Sequence, residues 1–285
     1  MITFKPILFK KLSFYLGITF LAILCSSCSH LFYYPSDKVY YDPKKFNLKP
    51  QDVFFKTEDG ETIHAWLFKT DRKKPLGTIL FFHGNAENLT SHYIHLTWLI
   101  AEGYNYLIFD YPGYGQSTGE ASQKGTVQAG IAAMDWLYKS DPQPLIIFAQ
   151  SLGGAVAQRV ILEKKDQIPI KGVVLDSTFN SYQSIARKKL SLSWFTWILQ
   201  PLAYILVSDK WAAEDIDKIS PIPVLVIHGD NDNTVEPIFG EHIYNELKEP
   251  KKIWRIPGGL HTDVFWSQQG KYRPQFLEWL AGLGD

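Results

Sequence analysis

Residues 145–154 read Leu-Ile-Ile-Phe-Ala-Gln-Ser-Leu-Gly-Gly, an apolar run followed by a serine among small residues. The run Leu145–Phe148 predicts a buried strand, and the residues from Leu152 to about Lys165 predict a helix. Ser151 therefore occupies a sharp strand-to-helix turn. Such a turn exposes the serine oxygen and directs a helix N-terminus toward a developing oxyanion. The pattern matches G-x-S-x-G except that Ala149 replaces the first glycine, which adds one methyl group.

Strands and helices alternate along the rest of the chain. Residues 53–55 and 63–68 alternate around Asp59-Gly60, which predicts an antiparallel hairpin. Helices are expected at Leu89–Ala101, Gly125–Tyr138 and Leu152–Lys165. Five strands expected between them are continuous apolar runs, as in strands buried on both faces: Gly77–Phe82, Tyr106–Phe109, Leu145–Phe148, Gly172–Leu175 and Val224–Ile227. A last strand is expected at Ile253–Ile256. This order predicts an α/β fold, a mostly parallel twisted sheet with helices on both faces.

Composition limits the number of domains and the classes of partner. The chain has 285 residues, of which 46% are hydrophobic, and this size suits one large α/β domain. Lys plus Arg equals Asp plus Glu at 29 each, so the chain has no net charge that would attract nucleic acid. Residues 180–213 break the alternation with tryptophans and an apolar run, which predicts a small helical lid within a domain that spans residues 51–285.

The N-terminus differs from the rest of the chain. Lys5, Lys10 and Lys11 precede the apolar stretch Leu12–Leu24, and small residues then flank Cys28. The stretch is shorter than the ~20 residues that span a bilayer as a helix, so residues 1–27 read as a signal peptide. The pattern resembles a bacterial lipoprotein signal with Cys28 as the lipidated residue, followed by a linker over residues 28–50. The alternative is an uncleaved single transmembrane anchor at the N-terminus.

Polar residues follow three further predicted strands, at the edge where ligands of such sheets bind. His83-Gly84-Asn85-Ala86 comes after the first of them, and the backbone N–H of Asn85 and that of Leu152 are candidate oxyanion donors. Two acids, Asp230 and Asp232, follow Val224–Ile227, and either one could orient a histidine. His261 lies on the loop after the last strand and is the best candidate base.

Five motifs in this order resemble those of the α/β-hydrolase superfamily over roughly residues 52–280. The fifth is Asp110-Tyr111-Pro112-Gly113-Tyr114-Gly115-Gln116-Ser117, in which we expect Asp110 to hold the loop backbone. The superfamily pattern H-G-x-x-D-x-x-V places the acid on Asp232 and leaves Asp230 as a turn residue. The resemblance implies a catalytic triad of Ser151, Asp232 and His261, in the order typical of this superfamily. The turn after Gly84 is most similar to ABHD-type and serine-aminopeptidase-like hydrolases.

These features predict a membrane-associated serine hydrolase of the cell envelope that faces the periplasm. The expected reaction is cleavage of carboxylic esters or thioesters, without metal or cofactor. The tryptophans beside Arg187-Lys188-Lys189 suggest a lid at a membrane interface and a lipid-like acyl substrate. A lid packed on the sheet with ordinary exposed charges is the alternative. A peptidase or amidase of this fold, and a lipid-anchored binding protein with a vestigial triad, are the alternative functions.

Overall fold

One eight-stranded sheet organises the computed structural model, which describes residues 32–284. The order of strands across the sheet is β10-β9-β8-β7-β4-β6-β3-β2. Two further short strands, β1 and β5, pair with each other in parallel. The strands are β1 Tyr34–Pro35, β2 Gln51–Lys56, β3 Thr62–Phe68, β4 Gly77–Phe82, β5 Ala86–Glu87, β6 Tyr104–Phe109, β7 Leu145–Gln150, β8 Ile170–Asp176, β9 Val224–Gly229 and β10 Lys251–Ile256.

The sheet is mostly parallel, as predicted. The antiparallel pairings are those of β3 with β2 and with β6, and β2 and β3 form the predicted hairpin. The chain passes from β4 to β6 on one side and later returns to β7 on the other side of β4. The order of strands therefore reverses at β4, and the crevice beyond the ends of β4 and β7 is where doubly wound sheets bind ligands.

Helices cover both faces of the sheet. They are α1 Leu89–His92, α2 Trp98–Ala101, α3 Gln123–Ser140, α4 Leu152–Lys164, α5 Tyr182–Ser191, α6 Trp194–Trp197, α7 Ala203–Leu206, α8 Pro237–Glu246 and α9 Tyr272–Ala281. Buried residues of α3, α4 and α8 pack on one face of the sheet. Buried residues of α9 and of the segment around α1 and α2 pack on the other face. Helices α5 to α7 form the predicted lid between β8 and β9.

The prediction of one continuous helix over Leu89–Ala101 is wrong, because the segment is interrupted in its interior. The segment instead consists of α1, a 3-10 turn at Tyr93–His95, and α2. The Thr97 hydroxyl donates to the carbonyl oxygen of Ile94 at 3.0 Å. A threonine hydroxyl that bonds the local backbone offers it an alternative to regular helix bonds, and the apolar spacing alone gave no sign of this.

The described part of the segment expected to be a linker is bonded to the domain. Tyr34 N donates to Asn85 O at 2.9 Å, and Ser36 N donates to Glu87 O at 3.0 Å. The Asn88 side chain donates to Ser36 O at 2.8 Å, and Tyr33 is buried. We call residues 32–41 the N-terminal strap. Residues 32–284 contain no helix long and apolar enough to cross a membrane; the expected signal over residues 1–27 and Cys28 lie outside the described residues.

Helix α4 lies so close to the end of β4 that one of its positions has no room for a side chain. A Cβ atom added at Gly153 would lie 2.3 Å from Phe82 O and 2.5 Å from His83 O. Both obstacles are backbone atoms, so rotation of a side chain cannot relieve the overlap. Glycine at this position sets the distance between the Ser151 turn and the loop after β4.

We therefore expect Gly153→Ala to lower the free energy of unfolding by about 1–3 kcal/mol, as overpacked sites do. Urea denaturation of the variant and of the wild type measures this difference. Gly282→Ala is the control, because a Cβ atom there meets nothing closer than 3.4 Å. Equal stability of Gly153→Ala and wild type would contradict the close contact.

Candidate active site

Ser151 occupies a strained turn between β7 and α4. Its φ of 53° and ψ of −123° lie outside the regions that most residues adopt. Its side chain makes no capping bond to the helix, so the hydroxyl is not used by α4. The turn is held by two bonds: Ser151 N donates to Asp176 O at 3.0 Å, and Thr178 Oγ1 donates to Ser151 O at 2.5 Å. Neighbouring elements thus maintain the unusual backbone.

Ala149, the departure from the glycine pattern, fits this turn. It is a fully buried residue of β7, and it is not among the residues with positive φ. The position therefore does not use the conformational freedom that a glycine would supply.

Asp232 and His261 are brought together from the loops after β9 and β10. His261 Nδ1 lies 2.7 Å from Asp232 Oδ2. The other oxygen of Asp232 accepts from Thr234 N at 2.8 Å and from Val235 N at 2.9 Å. The carboxylate is buried and His261 is partly exposed. A carboxylate fixed in this way holds the histidine ring in one orientation.

Hydrogen bonds keep Asp232 ionised despite its burial. Burial acts to raise the pKa of Asp232, but the bonds from His228, His261 and the Val235 backbone together hold it well below its ordinary value. Asp230, the alternative acid, instead pairs with Arg255 at 2.8 Å on the surface. Of the two acids, Asp232 is the one that contacts His261, in line with the superfamily pattern.

The loop that carries His261 is bonded to the region around Ser151. Thr262 N donates to Ser177 Oγ at 3.1 Å. Ser177 follows Asp176, whose backbone oxygen accepts from Ser151 N. The side chain of Gln150, the residue before Ser151, contacts Thr262 O at 3.5 Å. The residues next to Ser151 and His261 are therefore in contact.

The turn after β4 faces the Ser151 turn. A Cβ atom at Gly84 would lie 3.6 Å from Ser151 Cβ. Carbonyl oxygens of this turn accept hydrogen bonds from other segments: Tyr111 OH donates to His83 O at 2.9 Å, and Asn85 O accepts from Tyr34 N and Tyr114 OH. These bonds fix the orientation of the backbone at Asn85. Asn85, Ser151 and Leu152 all line the same cavity.

Asp110 supports this turn, whereas the sequence led us to expect that it would hold the backbone of its own loop. Its Oδ1 accepts from Leu89 N at 2.7 Å and lies 3.5 Å from His83 Nε2. His64 lies beside the other carboxylate oxygen of Asp110 and contacts Asp52 at 2.8 Å. Burial acts to raise the pKa of Asp110, but its bonds with His64 and His83 hold it below its ordinary value. No partner of His64 was evident from the sequence; the register of the β2–β3 hairpin was the available signal.

Three histidines stack behind the turn after β4. The ring centroids of His83 and His92 are 5.0 Å apart, and those of His92 and His95 are 6.0 Å apart. Burial lowers the pKa of His92 to about 3 and that of His95 to about 4, so both rings are neutral at neutral pH. Within residues 32–284, no group of three or more His, Cys, Asp or Glu side chains is arranged to hold a metal ion. His92 and His95 therefore pack as neutral rings behind the turn.

Asp176 is a second buried acid near Ser151, and its role was not predicted from the sequence. It ends β8, between the strands that carry Ser151 and Asp232, and it accepts from Gln150 Nε2 at 2.9 Å. Burial raises the pKa of Asp176 to about 6, against the opposing effects of Gln150 and His261. Its position directly after an apolar run was the signal in the sequence.

A cavity of about 620 Å³ lies above Ser151. Lid residues and the N-terminal strap form most of its wall, including Ile185, Leu199, Leu202, Phe32 and Tyr34. Of the lining residues within the described chain, Lys189 is the one that carries a charge. The cavity suits an elongated apolar group beside the serine.

The raised pKa of Asp176 predicts a pH dependence of stability. Between about pH 4, the pKa of an unfolded Asp, and the folded value of about 6, the folded protein binds this proton and the unfolded chain does not. The contribution of Asp176 to the free energy of unfolding therefore falls as the pH rises through this window.

Urea denaturation of wild type and Asp176→Asn over this pH range tests the expectation. The stability of the variant minus that of the wild type should increase with pH and become constant above the folded pKa. Parallel curves for the two proteins would show that Asp176 does not retain its proton in the folded state.

Three comparisons relate this arrangement to known proteins. The family model described as serine aminopeptidase, S33, matches residues 73–208. The chain is 33% identical to the uncharacterized protein YfhR of Escherichia coli over 92% of this chain and 93% of YfhR. It is 32% identical to the alpha/beta hydrolase domain-containing protein WAV2 of Arabidopsis thaliana, over 83% of this chain and 81% of WAV2.

Solved structures give the same result for the fold. The Pyrococcus furiosus esterase Pf2001 superimposes with a TM-score of 0.69 at 21% identity, over 89% of this chain and 99% of that one. The predicted fold class is thereby confirmed. The chain belongs to the α/β-hydrolase superfamily and is a hydrolase.

Proposed function

We propose that the protein is a serine hydrolase that cleaves carboxylic ester or thioester bonds through Ser151, Asp232 and His261. One observation carries the proposal. A serine on a strained turn at the start of α4 lines an apolar cavity, and a histidine held by a buried carboxylate lies on a loop that contacts Gln150 and Ser177 beside that turn. This combination provides a nucleophile, a base and an orienting acid.

In the first half of the proposed reaction, His261 Nε2 takes the proton of the Ser151 hydroxyl while the serine oxygen attacks the acyl carbon. Asp232 accepts the hydrogen bond of His261 Nδ1 and stabilises the imidazolium without taking its proton. The tetrahedral intermediate then collapses. The bond to the leaving oxygen or sulfur breaks, and the leaving group takes the proton from His261, which leaves Ser151 acylated.

The backbone N–H groups of Asn85 and Leu152 are the proposed donors to the oxyanion. Leu152 is the first residue of α4, so its N–H has no acceptor within the helix. Both residues line the cavity next to Ser151. Because these donors belong to the backbone, replacement of the Asn85 side chain leaves them in place.

Water completes the reaction in the second half. His261 removes a proton from water, the hydroxide attacks the acyl carbon, and Ser151 leaves with that proton restored. Every proton transfer uses groups of this chain, so the proposal requires no metal or organic cofactor.

The cavity favours an acyl ester or thioester over a peptide. The family model's description names an aminopeptidase, and an aminopeptidase must bind the ammonium group of its substrate. The residues that line the cavity, within the described part of the chain, include no Asp or Glu. An ammonium group would be desolvated there without a counter-charge, at a cost of several kcal/mol. An apolar acyl chain incurs no such cost.

The proposed location is the cell envelope, with the chain held to a membrane through lipidated Cys28. This part rests on the sequence pattern of residues 1–28. A single N-terminal transmembrane anchor would give the same attachment.

Replacement of the nucleophile tests the proposed reaction. Ser151→Ala should lose labelling by a fluorophosphonate probe, and its kcat should fall by about 10⁶-fold, as in other serine hydrolases. Ser193→Ala is the matched control, because Ser193 is an exposed serine whose side chain makes no capping bond. Undiminished labelling of Ser151→Ala would overturn the assignment.

The same labelling assay separates the alternative functions. Protection of the wild type by a p-nitrophenyl ester or an acyl thioester, with none by an aminoacyl anilide, supports the proposed substrate class. Protection by the anilide alone indicates a peptidase or amidase. A folded wild type that is not labelled at all indicates a vestigial triad in a binding protein.

The two acids of the loop after β9 provide a matched pair of variants. Asp232→Asn should lower kcat by roughly 10³–10⁴-fold, because the histidine loses the partner that fixes its tautomer. Asp230→Asn should stay close to wild type, because Asp230 contacts Arg255 at the surface. Steady-state rates on a soluble ester measure both. Equal losses in the two variants would contradict the role of Asp232.

A further inference from the structure

The outer surface of the lid is unusually apolar. Its large hydrophobic side chains are mostly exposed, with fractions of 78% for Trp194, 62% for Trp197 and 74% for Ile198. Contiguous exposed apolar surface of this kind marks an interaction site. We use the name lid patch for the exposed residues Leu192, Trp194, Phe195, Trp197, Ile198, Tyr204 and Ile205.

The lid patch is continuous with the cavity above Ser151. Leu199 and Leu202 line the cavity and are also about 40% exposed at the surface. Their neighbours Ile198 and Ile205 belong to the lid patch. The lid patch and the cavity are therefore joined by apolar side chains that belong to both the surface and the cavity wall.

The lid segment carries more cations than acids. Residues 180–213 contain Arg187, Lys188, Lys189 and Lys210 against the single acid Asp209. The Asp209 carboxylate is hydrogen-bonded within the lid, where it accepts from Ser181 Oγ at 2.7 Å and from Gln183 N at 3.1 Å. Tryptophan, tyrosine and aliphatic side chains bordered by cations are the composition that binds the interface of an anionic bilayer.

Arg187 is held close to the lid patch. The Arg187 guanidinium lies over the ring of Tyr204, 4.6 Å from its centroid, and donates to the Tyr204 hydroxyl. Lys189 is exposed and also lines the cavity, whereas Lys188 pairs with Glu236 at 2.9 Å. Arg187 therefore belongs to the same surface as Tyr204 of the lid patch.

The N-terminal strap leads to the same cavity. Phe32 and Tyr34 line the cavity together with lid residues, and the ring of Phe32 packs on Tyr182 of α5 at 5.4 Å. Cys28 precedes Phe32 by four residues, which span at most about 14 Å when extended. A chain attached to a membrane through Cys28 thus has its cavity edge close to the headgroups.

We infer that the lid patch is a docking surface for an anionic lipid bilayer. The lid aromatics lie at the boundary of headgroups and acyl chains, the cations contact the headgroups, and the acyl substrate enters the cavity from the bilayer. The entry of substrate rests on the proposed hydrolase function, whereas the docking of the lid does not. A second copy of this chain and an apolar protein surface are the competing occupants.

Tryptophan quenching tests the docking without any use of activity. The full chain is reconstituted into phosphatidylethanolamine–phosphatidylglycerol vesicles with brominated acyl chains. All nine tryptophans lie after residue 31, so the N-terminal segment contributes no signal. We expect quenching in the wild type and its loss in Trp194→Phe/Trp197→Phe. Trp266→Phe, which removes a tryptophan that is 50% exposed outside the lid, should leave the quenching intact.

Equal quenching in wild type and Trp194→Phe/Trp197→Phe would overturn the inference, as would loss of quenching in Trp266→Phe. Sedimentation equilibrium in nonionic detergent examines the competing occupant. A dimer that dissociates on Trp194→Phe/Trp197→Phe substitution would assign the lid patch to a second copy. Monomers in both proteins, together with the expected quenching pattern, support the bilayer.

Activity on two substrates then tests the entry of substrate. Trp194→Ser/Phe195→Ser/Trp197→Ser should hydrolyse a long-chain ester embedded in the vesicles at least about tenfold more slowly than wild type. Its rate on a soluble short-chain ester should be unchanged, because none of the three residues lines the cavity. An unchanged ratio of the two rates would overturn bilayer entry. Failure of the wild type to hydrolyse either ester would instead overturn the proposed function.

Discussion

The contact of Gly153 with the carbonyl oxygens of Phe82 and His83 is the constraint on which the site depends. It brings the first turn of α4 against the end of β4 with no side chain between them. Ser151, the N–H of Leu152 and the turn at Asn85 consequently share one cavity. The order of strands reverses at β4, so the crevice that this contact shapes is also the one that the topology leaves open.

Charge in this site is concentrated on buried carboxylates with different surroundings. Asp232 accepts bonds from the backbone and from His261, and these keep it ionised. Asp176, one strand away, has fewer donors, and burial raises its pKa to about 6. Asp110 supports the turn after β4 through Leu89 N and His83. The same residue type thus contacts a histidine, has a raised pKa or supports a turn, according to the donors around it.

The N-terminal strap and the lid connect the site to its surroundings. The strap is bonded to the backbone of the turn after β4 through Tyr34, and both strap and lid contribute to the cavity wall. A domain whose cavity wall includes residues next to the lid patch, with its proposed attachment to the membrane at the strap, is suited to an apolar substrate that comes from a bilayer. This arrangement gives one physical explanation for the apolar cavity, the lid patch and the surrounding cations.

The sequence by itself determined the sheet, its parallel strands and the loops that carry Ser151, Asp232 and His261, because buried strands and tight turns impose local patterns that can be read residue by residue. It could not reveal the break within Leu89–Ala101, where Thr97 competes for the backbone, or the attachment of the strap to Asn85. The pairing of His64 with Asp52 and the raised pKa of Asp176 were likewise not evident from the sequence. Only the tertiary structure decided these, since each depends on burial and on donors supplied by residues distant in the chain.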